Sequence, residues 1–397
     1  MKFISLKWGR GRDKPEVDAE CSFVFIDNKF ENFFEQIKIF FDSGFLDAKK
    51  TVLIVKFYNS NYHNIDTVAK KLGLRVIFYL FYRQIPSLNG RVIFYPYNAQ
   101  SNCRLILNRS ACHVFLTHGE SNKKASVNRM ARLYDYVLAA GDISSQRYVK
   151  GGVFTRQDIE AGRVIRVGAS LSAKCLEYTT NAGSPCLVYM PTWEGGLDEE
   201  NFSSIACQNI ASILWNILQG LNIKKILIKC HPNTGGRIRT YKSALALLIN
   251  SLMEKDIDVY VDPNSEKFLK KYPELQRRVN SDCSRLNVLW GVVDVSAAEF
   301  MLAAKKIPTI VLLRQRNQCF ATSEYMRMRH DALIDMDGVI EVNAAIEYLR
   351  NSTQEDEFML KAFQKEEYLC SKTTKEMAEI LIAKFHNEMR IGNMEMI

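Results

Sequence analysis

Nowhere in the 397-residue sequence is there an apolar run near the roughly 18–20 residues that cross a bilayer. The opening stretch, MKFISLKWGRGRDKPEVD, turns polar too soon to supply the apolar centre of a signal peptide. A secreted or membrane-spanning protein is therefore not expected. The ten cysteines are scattered and form no CxxC pair. Several sit inside apolar strand-like runs, as Cys186 does in PCLVYM and Cys230 in LIKCHP, which fits buried reduced thiols in the cytoplasm and excludes zinc held on cysteine pairs. There is no internal repeat and no low-complexity segment. A Walker A sequence and a GxSxG elbow are also absent, and Gly9-Arg10-Gly11 has no strand before it, so it is not a dinucleotide fingerprint. Asp335-Met336-Asp337 matches a metal-binding DxD pattern but follows a short strand near the end of the chain, the wrong context. No metal site is expected, and no cofactor is required.

What is present is ordinary for a globular chain: 47% hydrophobic and 24% charged residues, with length for two domains. A formal net charge of +9 points to an anionic partner such as a nucleotide, a phosphorylated polymer, nucleic acid or acidic lipid. Aromatic residues are not interleaved with the basic ones at 123–132, which argues against a single-strand nucleic-acid groove.

Continuous β-branched and aromatic runs alternate with helical patterns, as parallel sheets covered on both faces require. SFVFID (22–27), TVLIVKF (51–57), RVIFYLF (75–81), RVIFYP (91–96), CHVFLTH (112–118) and YDYVLAAG (134–141) read as strands, with a helix expected over Lys123–Leu133. After a polar interval at 179–184 the pattern restarts with PCLVYMP (185–191), KKILIKCHP (224–232), DVYVD (258–262) and the strand–loop–helix–strand of 288–313. Phe202, Ile205, Ala206, Ile210, Ile213, Leu214 and Ile217 fall on one face of a single amphipathic helix. The expected fold is α/β: two doubly wound Rossmann-like domains facing a cleft, 1–175 and 176–350, followed by a helical tail at 351–397. In such sheets ligands bind outside the carboxyl ends of the strands, so the residues just after strands are the candidates.

Four such places carry chemistry. His118-Gly119 ends one strand, with Lys123 and Lys124 close behind; a histidine there suits a general base, or is a plain loop residue beside a solvated basic helix. Pro191-Thr192-Trp193-Glu194-Gly195-Gly196 follows the first strand of the second half, offering a hydroxyl and pliant backbone to a phosphate, or simply a turn in which Trp193 packs. His231-Pro232 ends another strand, ahead of Arg237, and six Lys/Arg residues between Lys224 and Lys242 have no carboxylate among them. Pro232 stiffens the loop, so His231 can offset charge on a diphosphate; a surface loop with a basic face is the alternative. Asp294-Val295-Ser296-Ala297-Ala298-Glu299 places Ser296 at a helix start with Glu299 three residues on. That is a capping box, and the same geometry makes an anion site.

In order and spacing over roughly residues 110–315, the set resembles the CDP-glycerol glycerophosphotransferases, the polymerases and primases of teichoic acids and phosphate-containing capsules. HG followed by Lys, then PTW, KCHP, DVSAAE and KKIPTIVL carry the likeness. HGESNKK stands where the family shows HG-T-P-x-K-x, DVSA where it shows DYSS, and Glu194 where a basic residue is common. The resemblance implies a GT-B fold with the nucleotide held mainly by the second domain. It implies His118 as base and His231 as the diphosphate contact, with Thr192 and Ser296 touching nucleotide or phosphate. Lys123, Lys124, Arg237, Asp294, Ala297 and Glu299 complete the expected site. The expected reaction moves a glycerol- or ribitol-phosphate from a CDP-linked donor to a hydroxyl of a polymeric or lipid-linked glycan acceptor, releasing CMP, with a divalent metal optional. A glycosyltransferase using a CMP- or UDP-linked sugar is the alternative, and a non-enzymatic binder of nucleic acid or anionic surfaces is a third reading. A basic face also suits peripheral contact with anionic headgroups at the inner face of the cell membrane.

Overall fold

The computed structural model describes residues 17–18, 20–27, 33–58, 62–117, 120–171, 183–195, 200–315, 319–337, 342–352 and 356–394. The chain divides into two compact units. The first comprises Met1–His118, Val127–Ala173 and Phe363–Ile397; the second comprises Gly119–Ser126 and Lys174–Ala362.

In the first unit, β1 (Ser22–Ile26), β2 (Thr51–Lys56), β3 (Arg75–Tyr79), β4 (Val92–Tyr95), β5 (Cys112–Phe115), β6 (Tyr136–Ala139) and β7 (Val164–Arg166) form an all-parallel sheet in the order β3-β2-β1-β4-β5-β6-β7. Strands such as SFVFI and VIFY are buried along their whole length, because helices cover both faces of the sheet. The C-terminal helix Thr374–Met394 supplies Met377, Ala378, Leu381 and Phe385 to this core. Arg166, at the end of β7, holds the approach to that helix with a two-pronged pair to Glu366 (Nε–Oε1 2.9 Å, Nη2–Oε2 3.1 Å). Of the segment read from sequence as a tail, 351–397, the part from Phe363 onward belongs to the first unit and the part up to Ala362 to the second.

The second unit repeats the arrangement with β8 (Ser184–Met190), β9 (Lys225–Ile228), β10 (Asp258–Val261), β11 (Leu286–Asp294), β12 (Thr309–Leu313) and β13 (Leu333–Asp335), all parallel, in the order β10-β9-β8-β11-β12-β13. In both sheets the first strand of the unit lies beside the fourth. At that point the strand order reverses, and diverging connections open a crevice above the carboxyl ends. The expected α/β, doubly wound, Rossmann-like class is what the chain adopts.

Three local expectations are corrected. The helix expected over Lys123–Leu133 is two short 3-10 turns, Lys124–Val127 and Arg129–Leu133, the second capped by the Asn128 side chain on the Met130 amide. The reason is division of labour: Ser126 is the last residue assigned to the second unit there, and Val127 returns to the first. The long amphipathic helix begins only at Ile210 (Ile210–Gly220), although Phe202 and Ile205 are buried as its periodicity demands. Its expected first turns are diverted because the amides of Ser203 and Ser204 donate to the side chains of Asn201 and Asp294. Ser296 does cap the helix Ala297–Ala303, accepting from the Ala298 amide, but Glu299 does not complete a capping box. Its carboxylate accepts from the Tyr325 hydroxyl (2.8 and 2.9 Å) and from Arg329 Nε (3.1 Å).

That Glu299–Arg329 pair has side-chain exposures of 2% and 1%, and Arg329 also donates to the Tyr348 hydroxyl and the Thr309 carbonyl. Removing one partner strands the other charge away from water. Glu299→Ala is expected to cost about 3–5 kcal/mol in urea unfolding followed on the second unit. Arg327→Ala, which removes an exposed partner of Glu357, should leave the midpoint almost unmoved.

Candidate functional site

The candidate residues that the structure brings together lie in the second unit, above the carboxyl ends of β8, β9 and β11. Strand β8 ends at Met190, and the next residue, Pro191, has no N–H for the ladder, so the chain lifts off the sheet. Thr192, next in sequence, is 5% exposed and donates its amide to Asp294 Oδ2 at 2.7 Å. Asp294 is the last residue of β11, the neighbour of β8 at the reversal point, and also accepts from the Ser204 amide at 3.3 Å. One carboxylate therefore fixes the loop after β8 and the stretch before the helix Ile210–Gly220. Asp294 is fully buried, and its second oxygen, Oδ1, has no hydrogen-bond partner among the described residues. Burial pushes its carboxyl up to about 7, against the amides and the charge of Lys123, which pull it down.

Lys123 comes from the segment 119–126, which lies in sequence between two pieces of the first unit yet belongs to the second. The Phe320 amide donates to the Asn122 carbonyl (2.7 Å) and anchors it there. Lys123 Nζ then donates to Thr192 Oγ1 at 3.1 Å and lies 4.8 Å from the centroid of the Phe202 ring. Burial lowers its ammonium pKa, while Asp294 supports the charge. Its neighbour Lys124 is exposed at the start of the first 3-10 turn, so the described contacts of the cluster use Lys123.

His231 follows β9 in a loop knitted by short bonds: its carbonyl accepts from the Thr234 amide at 2.9 Å, and its Nδ1 accepts from the Asn233 amide at 3.1 Å. Accepting at Nδ1 puts the proton of the neutral ring on Nε2, a hydrogen-bond donor. Burial, and next the charge of Lys123, draws the imidazole down to about 4, with Glu194 opposing. His231 is thus a neutral donor at pH 7 and not the cation that a basic loop suggests. The Trp193 ring stacks on it (centroids 5.8 Å apart, planes at 21°), and the Arg237 guanidinium lies 4.8 Å from the centroid of the same indole. The sequence reading gave no role to Glu194, a fully buried residue that accepts from the amides of Gly235, Arg237 and Ile238. Its sequence signal was a carboxylate at an otherwise basic position.

The remaining candidates divide. Ser296 and Ala297 stand at the helix start beside Asp294, with the Ser296 hydroxyl used as the cap. Glu299, expected at the phosphate, has its carboxylate bonded to the Tyr325 hydroxyl and Arg329 Nε. Asp335 accepts from the Asp337 amide in a local turn, and no metal-holding group of three His, Cys, Asp or Glu residues occurs among the described residues. His118 and Gly119, like Gly196, lie outside the described residues. Thr117, just before His118, is β-branched yet has φ 55°, a conformation that costs energy and is often kept where a loop has a task. No described helix is long and apolar enough to cross a membrane.

No family model matches the chain, and none of the curated proteins does. Among solved structures it is similar to the wall teichoic acid polymerase TagF, at 13% identity over 92% of this chain and 89% of that one, with a TM-score of 0.46. It is also similar to the UDP-GlcNAc 2-epimerase from Neisseria meningitidis (8% identity, 91% and 98% covered, TM-score 0.45). A third is the O-GlcNAc transferase of Thermobaculum terrenum (11% identity, 98% and 71% covered, TM-score 0.43). At these scores the likenesses stand as findings and bear no further weight.

Asp294 and His231 make opposite contributions to pH dependence. In the folded chain Asp294 stays protonated up to about 7, whereas unfolded it ionises above about 3.9, so its contribution to stability falls as pH rises through that window. His231 is neutral in the fold down to about 4 but protonates below about 6.5 when unfolded, so its contribution is lost as pH falls. Asp294→Asn keeps an acceptor for the Thr192 amide and removes only the first effect. The melting-temperature difference between the Asp294→Asn variant and the wild-type protein should widen in favour of the variant from pH 5 to pH 8; a constant difference contradicts the assignment.

Proposed function

We propose that the chain is a transferase that takes a glycerol- or ribitol-phosphate from a CDP-linked donor and joins it to a hydroxyl of a cell-surface glycan, teichoic or capsular polymer. The observation that carries this reading is the meeting of Lys123, Thr192 and Asp294 beside His231 at the strand-order reversal of the second sheet. The order of the HG, PTW, KCHP and DVSAAE motifs supports the choice of donor.

The proposed chemistry uses Lys123 and His231 as described above and takes His118 as the base from the resemblance in sequence. Lys123 brings a positive charge into a partly buried setting, where it acts on phosphate oxygens more strongly than it would in water. The Nε2–H of His231 adds a directed donor, and an anion bound nearby raises the affinity of that ring for a further proton. The acceptor hydroxyl attacks the β-phosphorus in line and gives its proton to His118. The bond from that phosphorus to the bridging oxygen breaks, and CMP leaves with the electron pair. Charge gathers on the departing phosphate, where Lys123 and His231 offset it. Arg237, carried by Trp193, is within the same loop and contributes to holding the donor. The acceptor is a polymer or lipid-linked glycan, and the basic faces suit work beside an anionic membrane.

Three measurements test this. CMP and CDP should raise the melting temperature of the second unit, by the equivalent of about 2.7 kcal/mol at a hundredfold excess over Kd, while GDP should not. With CDP-glycerol and a polyol-phosphate acceptor, 31P NMR should show a new phosphodiester as CMP appears; a phosphorus-free linkage from a sugar nucleotide would replace this reading with glycosyl transfer. Lys123→Ala and His231→Ala should each lower kcat about 10²–10³-fold. His118→Ala should abolish turnover and keep the thermal shift by CMP.

A further inference from the structure

Glu194 has a place that the reaction just described does not use. It follows Trp193 directly, is fully buried, and its Oε2 accepts from the Gly235 amide (2.9 Å) while its Oε1 accepts from the amides of Arg237 (2.9 Å) and Ile238 (3.0 Å). Three backbone N–H groups converging on one point form the kind of concave nest that takes up phosphates and carboxylates. Here the chain fills it with its own side chain. Burial alone would push this carboxyl up, but the amides hold it below the usual carboxylate range. Two glycines make the fit possible. Gly235 has φ 69°, which turns its amide toward the carboxylate, and a Cβ on Gly195 would lie 2.3 Å from the Glu200 carbonyl oxygen.

The nest and His231 belong to one loop. The Thr234 amide donates to the His231 carbonyl, the Gly236 amide to the Asn233 carbonyl, and the Asn233 amide to His231 Nδ1. Glu194 and Trp193 therefore grip that loop at two points from a single strand end: one by its amides, the other by the imidazole face. We propose that Glu194 is the positioning residue of His231, a built-in anion that fixes the 233–238 loop and leaves a bound donor's phosphates to side chains instead of to these amides. The part concerning the donor rests on the reading of a nucleotide-dependent transferase; the part concerning the loop does not.

The test needs no donor. Titration of His231 by 15N NMR compares wild type with Glu194→Ala and Glu194→Gln, each checked for a cooperative melt. Loss of a negative charge by itself would draw the imidazole below its wild-type value of about 4. Release of the loop does the opposite and returns it toward about 6.5. The expected result is the rise, with Nδ1 no longer the acceptor in Glu194→Ala, and its reversal by about 50 mM sodium acetate entering the vacated nest. Glu194→Gln, which keeps one acceptor oxygen, should rise less, and it carries the test if the alanine variant does not fold. A value at or below that of the wild type overturns the proposal, and so does a rise that acetate leaves unchanged. Such a negative titration leaves the transferase reading standing, whereas absence of nucleotide binding leaves the titration result intact.

Discussion

A single carboxylate buried at the end of a central strand organises the candidate site. Asp294 holds the amides of Thr192 and Ser204, which lie 102 and 90 residues away in sequence, and so joins the loop after β8 to the stretch leading into the helix Ile210–Gly220. Burying a carboxyl is costly unless it is hydrogen-bonded or neutral, and this one combines amide donors, a nearby lysine and a raised pKa. The local order of the loops follows from that constraint. It also explains why apolar periodicity misplaces the start of the helix: burial of Phe202 and Ile205 is real, but their backbone is claimed by another partner.

The electrostatics run against what the charge count suggests. A net charge of +9 and six basic residues around His231 invite a picture of a cationic pocket. The structure instead places a neutral imidazole between an indole face and a loop whose amides are already satisfied by Glu194. Of the two lysines in the 119–126 segment, Lys123 brings its charge to Thr192, because Lys124 faces solvent. Charge is thus concentrated on few groups whose neighbours fix their direction, which is the condition for stabilising charge that develops during a reaction.

The units are also not simple stretches of chain. Residues 119–126 supply Lys123 to the second unit from within the first unit's sequence, and 363–397 returns to the first after the second is complete. Arg166 and Glu366, 200 residues apart, meet in a bidentate pair that local sequence cannot reveal. Both exchanges trade chain-closure entropy, which grows slowly with loop length, for buried apolar area and charge-assisted bonds.

The pattern of β-branched and aromatic runs by itself determined the strands other than the three-residue β7 and the doubly wound class, since a strand buried on both faces must be apolar throughout. The carboxyl ends of β8, β9 and β11 were legible for the same reason, as Thr192, His231 and Asp294 show. Only tertiary structure decided what each side chain does there. Ser296 remained a cap, yet Glu299 left it for Arg329, and Glu194 found its amides some forty residues onward. A charged group takes the partner that best repays its desolvation, and that partner is set by packing between distant segments, not by spacing along the chain.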